Sequence, residues 1–280
     1  YTSAGRNEIN SAAEFPSAWG GSVTWTVVTA NGAFPGSRDG IGGVPGLSAV
    51  QVGAEWRIIA AWGVDAVDIG NVQPLAHLEV LTWSIAGAPD ALPTVYDVNV
   101  GWRSDLAPAI VKVGDDAVVV GQRTNQAIRA LRLSDGAATD LALGAGQSLR
   151  RLSAMDGAFG TFVVGASGTQ SLHLASLSAP GDGLVFSALT SRAAAASDVQ
   201  GVMSAAGPLA LTLGRNASGV AWLIGPRANA APAIVAGPVA ALQQAGSTGQ
   251  IDAARLADGT VRVVWRDQNG AVRVGVLPCQ

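Results

Sequence analysis

Residues 107–121 read APAIVKVGDDAVVVG, which is an apolar run, a turn centred on Gly114 and a second apolar run. A glycine between two runs rich in Val and Ile predicts a β-hairpin, because glycine adopts the backbone angles of a tight turn without steric cost. The same pattern returns four times, at residues 47–62, 149–165, 201–214 and 252–265. The chain is therefore a series of internal repeats.

A third apolar segment follows each hairpin at the same place in the repeat. These third segments occupy residues 77–85, 126–134, 171–178, 219–225 and 271–278. Most of them alternate with a period of two, as half-buried strands do. A fourth segment follows in every repeat but the last, at residues 94–101, 138–145, 184–191 and 232–239. Each complete repeat thus predicts four consecutive strands, which we call A to D.

The repeat length indicates the architecture. The turn glycines are separated by 61, 43, 50 and 52 residues, at Gly53, Gly114, Gly157, Gly207 and Gly259. A four-stranded unit that recurs about every 40–50 residues is typical of a β-propeller blade. The chain resembles the β-propeller superfamily over roughly residues 22–280, without the repeat motif of any particular family. Its last unit, ADGTVRVVWRDQNGAVRVGV at residues 257–276, is also similar to repeats of sugar-binding propeller lectins.

We expect one all-β propeller domain over residues 1–280, with five blades; six or seven blades, or another all-β fold, are the alternatives. The blades are assigned to about residues 47–101, 107–145, 149–191, 198–240 and 250–278. Residues 1–22 form an N-terminal arm, and residues 23–30, VTWTVVTA, are a strand without a hairpin partner. In propellers generally, a strand from one terminus completes the blade of the other. We therefore predict that residues 23–30 pair near Val272–Val276 and remove the exposed sheet edge.

The composition excludes several functions. Charged residues make up 13% of the chain, the net charge is −3, and no basic run is present, which argues against nucleic-acid binding. One Cys and two His, His77 and His173, exclude a multi-zinc protein. No uninterrupted apolar stretch of about 18 residues occurs, so no transmembrane segment is expected. A first residue other than Met is consistent with a processed secretory precursor or with a trimmed sequence. A single Lys beside 16 Arg indicates a GC-rich, bacterial coding bias. We expect a secreted or cell-surface protein of bacterial origin.

Three loops exceed their equivalents in other repeats, and such loops often carry function. All three belong to the D–A and B–C connections, which gather on one face of a propeller, here called the upper face. The first loop, residues 30–46, has Arg38 and Asp39 as its only charges. We regard these two residues as ligand-binding candidates; an ordinary turn with a solvated Arg is the alternative.

The second loop, residues 62–77, reads WGVDAVDIGNVQPLAH and begins with Trp62, another ligand-binding candidate. Asp65, Asp68 and Asn71 follow at intervals of three. Oxygen side chains grouped in this way suit a hard cation, so calcium is the one cofactor that the sequence suggests. The alternative is that these short side chains hydrogen-bond the loop backbone, because the helix–loop–helix calcium pattern is not matched.

The third loop, GWRSDLAP at residues 101–108, contains Trp102, Arg103 and Asp105. An aromatic face, a guanidinium and a carboxylate are the groups that a sugar-binding site uses, since sugar CH faces stack on Trp and hydroxyls meet planar polar groups. In the alternative, Trp102 packs between blades while Arg103 and Asp105 pair at the surface. The sequence leaves both interpretations open.

Two classes of function fit these features. The first is an extracellular, non-catalytic binding or assembly module that uses the propeller faces for protein or glycan contacts, because low charge and a mean hydropathy of +0.32 suit a surface that neighbours cover. Cys279 has no intramolecular partner and is a candidate for an intermolecular disulfide. The second is a glycoside-active enzyme, which needs two carboxylates; Asp39, Asp65 and Asp105 are able to reach the upper face.

Overall fold

The computed structural model describes residues 10–12, 25–27, 44–64, 76–84, 93–167, 171–193, 196–205, 207–214, 219–227, 230–242, 251–266 and 269–277. The regular elements of these residues are all β-strands. They are β1 Asn10–Ala12, β2 Trp25–Val27, β3 Gly46–Val52, β4 Glu55–Val64, β5 His77–Ser84, β6 Thr94–Tyr96, β7 Ala109–Val113, β8 Asp116–Gln122, β9 Ala127–Arg132, β10 Ala138–Ala142, β11 Leu149–Met155, β12 Thr161–Ser167, β13 Ser171–Ser178, β14 Val185–Phe186, β15 Thr190–Ala193, β16 Ala196–Met203, β17 Pro208–Gly214, β18 Gly219–Arg227, β19 Ala230–Leu242, β20 Ile251–Arg255, β21 Val261–Arg266 and β22 Val272–Leu277.

The strands from β3 onward form five antiparallel sheets, in which neighbours in the chain are neighbours in the sheet. The sheets have the orders β3-β4-β5-β6, β7-β8-β9-β10, β11-β12-β13-β14, β16-β17-β18-β19 and β20-β21-β22, and β15 also pairs with β13. Each sheet contains one of the repeats found in the sequence. Successive meandering sheets of this kind are propeller blades, so the all-β propeller expected from the repeats is confirmed. The number of blades in the ring and the domain limits stay predictions.

The glycines predicted at the hairpin turns have positive φ angles in four of the five repeats. Gly114 has a φ of +64°, the left-handed conformation that glycine adopts easily, and it joins the paired residues Val113 and Asp116. In the third repeat the positive φ is at Gly160 instead of Gly157. A glycine is needed at position 157 for a different reason, because a Cβ there would lie 2.5 Å from Cγ of Met203 on the next sheet.

Consecutive sheets contact each other through their first strands, β3, β7, β11, β16 and β20. The second strands then bury alternate side chains against two different neighbours. Val119 packs with Ile59 of the first sheet, whereas Val118 and Val120 pack with Leu149 of the third sheet. Burial on both faces explains why residues 117–121, AVVVG, are apolar throughout instead of alternating.

Alternate apolar residues of the second strands form the core between the sheets. In the last four repeats, eight such residues are each at most 7% exposed: Val118, Val120, Phe162, Val164, Leu209, Leu211, Val261 and Val263. No helix among the described residues has the length and apolar composition needed to cross a membrane.

The fifth sheet differs from the others because only one of its faces is covered. Val261, Val263 and Trp265 are buried with Leu211 of the fourth sheet. The intervening residues of β21 are exposed. The fifth sheet is therefore covered on one face, and β21 alternates between buried and exposed residues along its length.

The predicted closing strand is not formed among the described residues. Trp25–Val27 pairs with Asn10–Ala12, and β22 has only β21 beside it among the described strands. Residues 23, 24 and 28–30 of the predicted strand lie outside the described residues. A strand also has two edges, so the pairing of residues 23–30 with Val272–Val276 stays a prediction.

We predict that Val120→Asp prevents folding or causes aggregation. Val120 is fully buried between the second and third sheets, and an unpaired carboxylate there costs at least several kcal/mol, comparable with a whole domain's stability of about 5–15 kcal/mol. The soluble fraction and the melting temperature measure the effect. Val185→Asp, at a valine that is half-exposed on β14, is the control and should remain soluble. A soluble Val120→Asp protein with unchanged melting would contradict the packing of these sheets.

Candidate functional site

The structure describes four of the candidate site residues, Trp62, Trp102, Arg103 and Asp105. The others lie outside the described residues: Arg38, Asp39, Asp65, Asp68, Asn71 and Cys279. The ligand-binding role of the first loop, the calcium site and the intermolecular disulfide therefore stay predictions.

Trp102 lies in the interior, where it is 1% exposed and packs between the first and second sheets. Two glycines make room for it. A Cβ on Gly121 would lie 2.7 Å from Cζ3 of the indole, and a Cβ on Gly63 would lie 3.0 Å from Cβ of Trp102. This is the packing alternative of the sequence analysis, and it leaves the indole no exposed face on which a ligand could stack.

The indole nitrogen of Trp102 belongs to a charged network at the junction of the two sheets. Its Nε1 donates to Oδ2 of Asp97 at 3.1 Å, and Nε of Arg129 donates to the same oxygen at 2.6 Å. Arg129 also reaches Asp140 at 2.9 Å, and Asp140 accepts from Arg123 at 2.6 Å. The hydrogen bond with Asp97 raises the pKa of Arg129. The network holds the connection between the first two blades against the outer strands of the second.

Trp62 is also buried, and its indole nitrogen is hydrogen-bonded to a buried carboxylate of the same blade. Its Nε1 donates to Oε2 of Glu79 at 2.7 Å, and Nε2 of His77 lies 3.3 Å from Oε1 of the same carboxylate. Glu79 is fully buried. A carboxylate without access to solvent cannot meet a substrate, so we assign this cluster to the interior of the first blade.

Arg103 is fixed on the upper face by three neighbouring chain segments. Its Nε and Nη2 donate to the two oxygens of Asp105 at 2.8 and 2.6 Å. Its Nη1 reaches Gln122 Oε1 at 2.6 Å and both Ser148 Oγ and the Leu149 carbonyl at 2.7 Å. The guanidinium therefore ties the loop at residues 101–108 to the end of β8 and to the loop before β11.

An open depression of about 440 Å³ lies beside this guanidinium. Its lining consists of Arg103, Asp105, Ser148, Leu149 and Arg150. Asp105 is 71% exposed although both of its oxygens are held by Arg103. The hydrogen bonds from Arg103 lower the pKa of Asp105, so its carboxylate stays ionised at neutral pH. Arg150 is exposed, and no hydrogen bond or ion pair joins it to the described residues.

The sequence analysis missed Ser148 and Arg150. Ser148 directly precedes strand A of the third blade, and Arg150 is the second residue of that strand. The D–A loop there is no longer than the repeat requires. Loop length was therefore a misleading signal. Adjacent D–A loops lie side by side around a propeller, and that adjacency is what brings Ser148 and Arg150 next to Arg103 and Asp105.

A Ser–His pair elsewhere on the upper part of the third blade lacks the third member of a catalytic triad. His173 Nδ1 lies 2.8 Å from Ser191 Oγ, and burial lowers the pKa of the imidazole. The other ring nitrogen, Nε2, is buried and has no hydrogen-bond partner among the described residues. Without an acceptor that orients the ring, this pair does not meet the geometry of an activated serine. Within the described residues no cluster of His, Cys, Asp or Glu has the geometry of a metal site.

Comparisons with known proteins give similarity at the level of the fold. No protein-family model matches this chain, and no curated protein matches it. Among solved structures the chain is similar to a mutant of AofleA from Arthrobotrys oligospora, at 14% identity over 93% of this chain and 74% of that chain, with a TM-score of 0.49.

Two further solved structures show similarity of the same order. BBS1N in complex with ARL6DN matches at 14% identity over 82% of this chain and 76% of that chain, with a TM-score of 0.46. The SapL1 lectin in complex with alpha methyl fucoside matches at 9% identity over 84% of this chain and 81% of that chain, also with a TM-score of 0.46. At these identities and TM-scores we draw no functional conclusion from them.

We predict that Trp102→Ala lowers the free energy of unfolding by about 3–5 kcal/mol, because truncation of a buried Trp removes its contacts and leaves a cavity. Urea denaturation followed by circular dichroism measures this change. Trp56→Ala is the matched control, since Trp56 is half-exposed on β4, and its effect should stay within about 0.5 kcal/mol. Equal stability of the Trp102→Ala and wild-type proteins would contradict the packing role.

Proposed function

We propose that this protein is a non-catalytic binding module that recognises a polar group of a glycan or protein in the depression beside Arg103. The observation that carries the proposal is the carboxylate of Asp105, which is held by two hydrogen bonds and is still 71% exposed. A salt bridge at an exposed site contributes little to stability, typically about 0–1 kcal/mol. The fixed orientation of an exposed carboxylate is therefore better explained by a ligand than by folding.

Rigidity of the site supports this proposal. Arg103 is anchored by Gln122 and Leu149, and Gln122 Oε1 also accepts from the Leu149 amide at 2.9 Å. The carboxylate of Asp105 is thus positioned by groups that are themselves fixed. A ligand that binds a prearranged group loses less conformational entropy than one that must order the site first.

The lining specifies the chemistry of the ligand. Asp105 accepts hydrogen bonds, Arg150 donates them, and the Ser148 hydroxyl accepts from Arg103 and keeps its own proton for a ligand. Such a set suits adjacent hydroxyls of a sugar or the paired charged groups of a peptide. Because Trp62 and Trp102 are buried, hydrogen bonds and charge, not stacking on these indoles, would supply the affinity.

The glycosidase alternative receives less support. A glycosidase needs two carboxylates, one of them with a raised pKa that lets it act as an acid. Among the described residues that line the depression, Asp105 is the only carboxylate, and Arg103 lowers its pKa. A low pKa suits a permanent acceptor and not a proton donor.

The proposal includes the location in which the protein acts. We place the module outside the cell or on its surface, on the grounds of its few charges and its positive mean hydropathy. We also propose that the loop with Asp65, Asp68 and Asn71 binds calcium, which is compatible with a location outside the cell.

We predict that Asp105→Asn lowers ligand affinity at least about tenfold, since a hydrogen bond to a charged group is worth about 1.5–3 kcal/mol. Ligands are first selected on a glycan array and a peptide array, and the hits are then titrated by calorimetry. Asp115→Asn is the control, because Asp115 is an exposed carboxylate paired with Lys112 in the turn between β7 and β8. Unchanged affinity of Asp105→Asn, or hydrolysis of a bound glycan, would contradict the proposal.

The affinity should also show a defined pH dependence. The pKa of Asp105 is lowered from its ordinary value of 3.8, so the ionised acceptor persists until the pH falls below that value. We predict constant affinity between about pH 8 and pH 5 and a loss only in stronger acid. Calorimetry at several pH values, with circular dichroism to confirm folding at each, measures this. A decline between pH 7 and pH 5 would show that another group controls binding.

A further inference from the structure

One arginine of the depression beside Arg103 is not used to join parts of the protein. Arg150 is exposed, and no hydrogen bond or ion pair joins it to the described residues. The two other arginines nearby have such roles. Arg103 is paired with Asp105, and Nε of Arg151 lies 3.6 Å from Oδ1 of Asp198 on the fourth sheet. The guanidinium of Arg150 is therefore available for a ligand.

A β-bulge removes Arg150 from the packing of its blade. Leu149 and Arg151 pair with adjacent residues of β12, so Arg150 is an extra residue that has no partner there. Leu149 and Leu152 are three positions apart and still both pack against the second sheet, as a bulge between them requires. Bulges re-aim side chains and are frequent next to functional sites. This bulge exposes the side chain of Arg150 at the depression.

The corresponding bulge in the next blade carries no charge. Ala196 and Asp198 of β16 pair with adjacent residues of β17, so Ser197 has the register position that Arg150 has in β11. A bulge at this position of strand A therefore forms with an uncharged residue. The geometry of the strand does not account for the arginine at position 150.

The depression carries one net positive charge. The charged groups among its described lining residues are Arg103, Asp105 and Arg150. The charges of Arg103 and Asp105 compensate each other, because the guanidinium donates to both carboxylate oxygens. Arg150 then adds an uncompensated cation on a protein whose net charge is −3. Since a guanidinium binds carboxylate-like anions with two parallel hydrogen bonds, the depression is suited to a ligand with one negative charge.

A sugar satisfies both parts of the depression better than a peptide does. Asp105 needs hydrogen-bond donors and Arg150 needs an anion. An acidic sugar carries hydroxyls and an anion at fixed positions on one ring, whereas a peptide must immobilise two flexible side chains and loses conformational entropy for each. The volume of about 440 Å³ also lies within the range of small-ligand sites, about 300–1,000 Å³.

We propose that the ligand of this depression is a sugar residue with one anionic group, a carboxylate or a sulfate ester, which binds Arg150 while hydroxyls of the same residue donate to Asp105. This inference rests on the binding function proposed above and names its ligand class. A phosphate monoester is less suited, because it carries about 1.5–2 negative charges at neutral pH and Arg150 is the one uncompensated cation among the described lining residues.

Matched charged and uncharged glycans test the ligand class. The panel contains glycans with uronate, sialate or sulfated residues, the methyl esters of the carboxylated ones and the desulfated forms of the others. The wild type should bind a charged form about tenfold or more tightly than its uncharged counterpart, because a hydrogen bond between charged groups is lost in the latter. Arg150→Gln should reduce this affinity ratio to about one, and Arg150→Lys, which keeps the charge without the planar fork, should retain part of it. Calorimetry at low salt measures the ratios.

The matched control is Arg255→Gln, at an exposed arginine on strand A of the fifth sheet, which should keep the wild-type ratio. Circular dichroism confirms that each variant is folded. Equal affinity of the wild type for charged and uncharged forms would overturn the ligand class, as would a ratio that Arg150→Gln leaves unchanged or binding to peptides alone.

Asp105→Asn separates failure of the ligand class from failure of the binding function. A ligand that loses affinity in Asp105→Asn but not in Arg150→Gln occupies the depression without being recognised as an anion, which overturns the ligand class and keeps the binding function. A ligand that neither variant affects, or no binding to any glycan or peptide, overturns both.

Discussion

The structure depends on one constraint. Each inner blade, meaning the second, third or fourth sheet, has two apolar faces and is stable only between two neighbouring sheets. β8 shows this most clearly, because Val119 is buried against the first sheet and Val118 and Val120 against the third. Burying one Val or Leu side chain contributes roughly 1.5–3 kcal/mol, so the contacts between sheets supply most of the stabilisation.

The junctions also need hydrogen bonds, because backbone groups at the first strands would otherwise be buried without partners. Asp198 accepts from the amides of Val199 and Ile251 at 2.9 Å and so joins the fourth and fifth sheets. Ser153 accepts from the Gly201 amide between the third and fourth sheets at 3.0 Å. Arg103 has the equivalent place between the second and third sheets. It differs from the other two because it also holds an exposed carboxylate, and the proposed ligand site rests on that difference.

Most of the fold could be predicted from the sequence, because strands and turns depend on local residues. The Gly-centred hairpins and the two-residue periods placed the strands of all five sheets. The packing of Trp102 could not be decided, because it depends on Gly63 and Gly121, which belong to different sheets and become its neighbours only when the blades stack. Ser148 and Arg150 were missed for the same reason. The pairing of residues 23–30 could not be decided either, because alternation indicates a strand without indicating which edge it joins.

The same constraint explains why the proposed ligand site lies where it does. Between blades both sheet faces are covered, so a ligand has access only to the loops. The loops of neighbouring blades meet where Arg103 joins Asp105 to Ser148. The proposed site therefore depends on the stacking of the second and third sheets, and the residues that form it come together only when that stacking is complete.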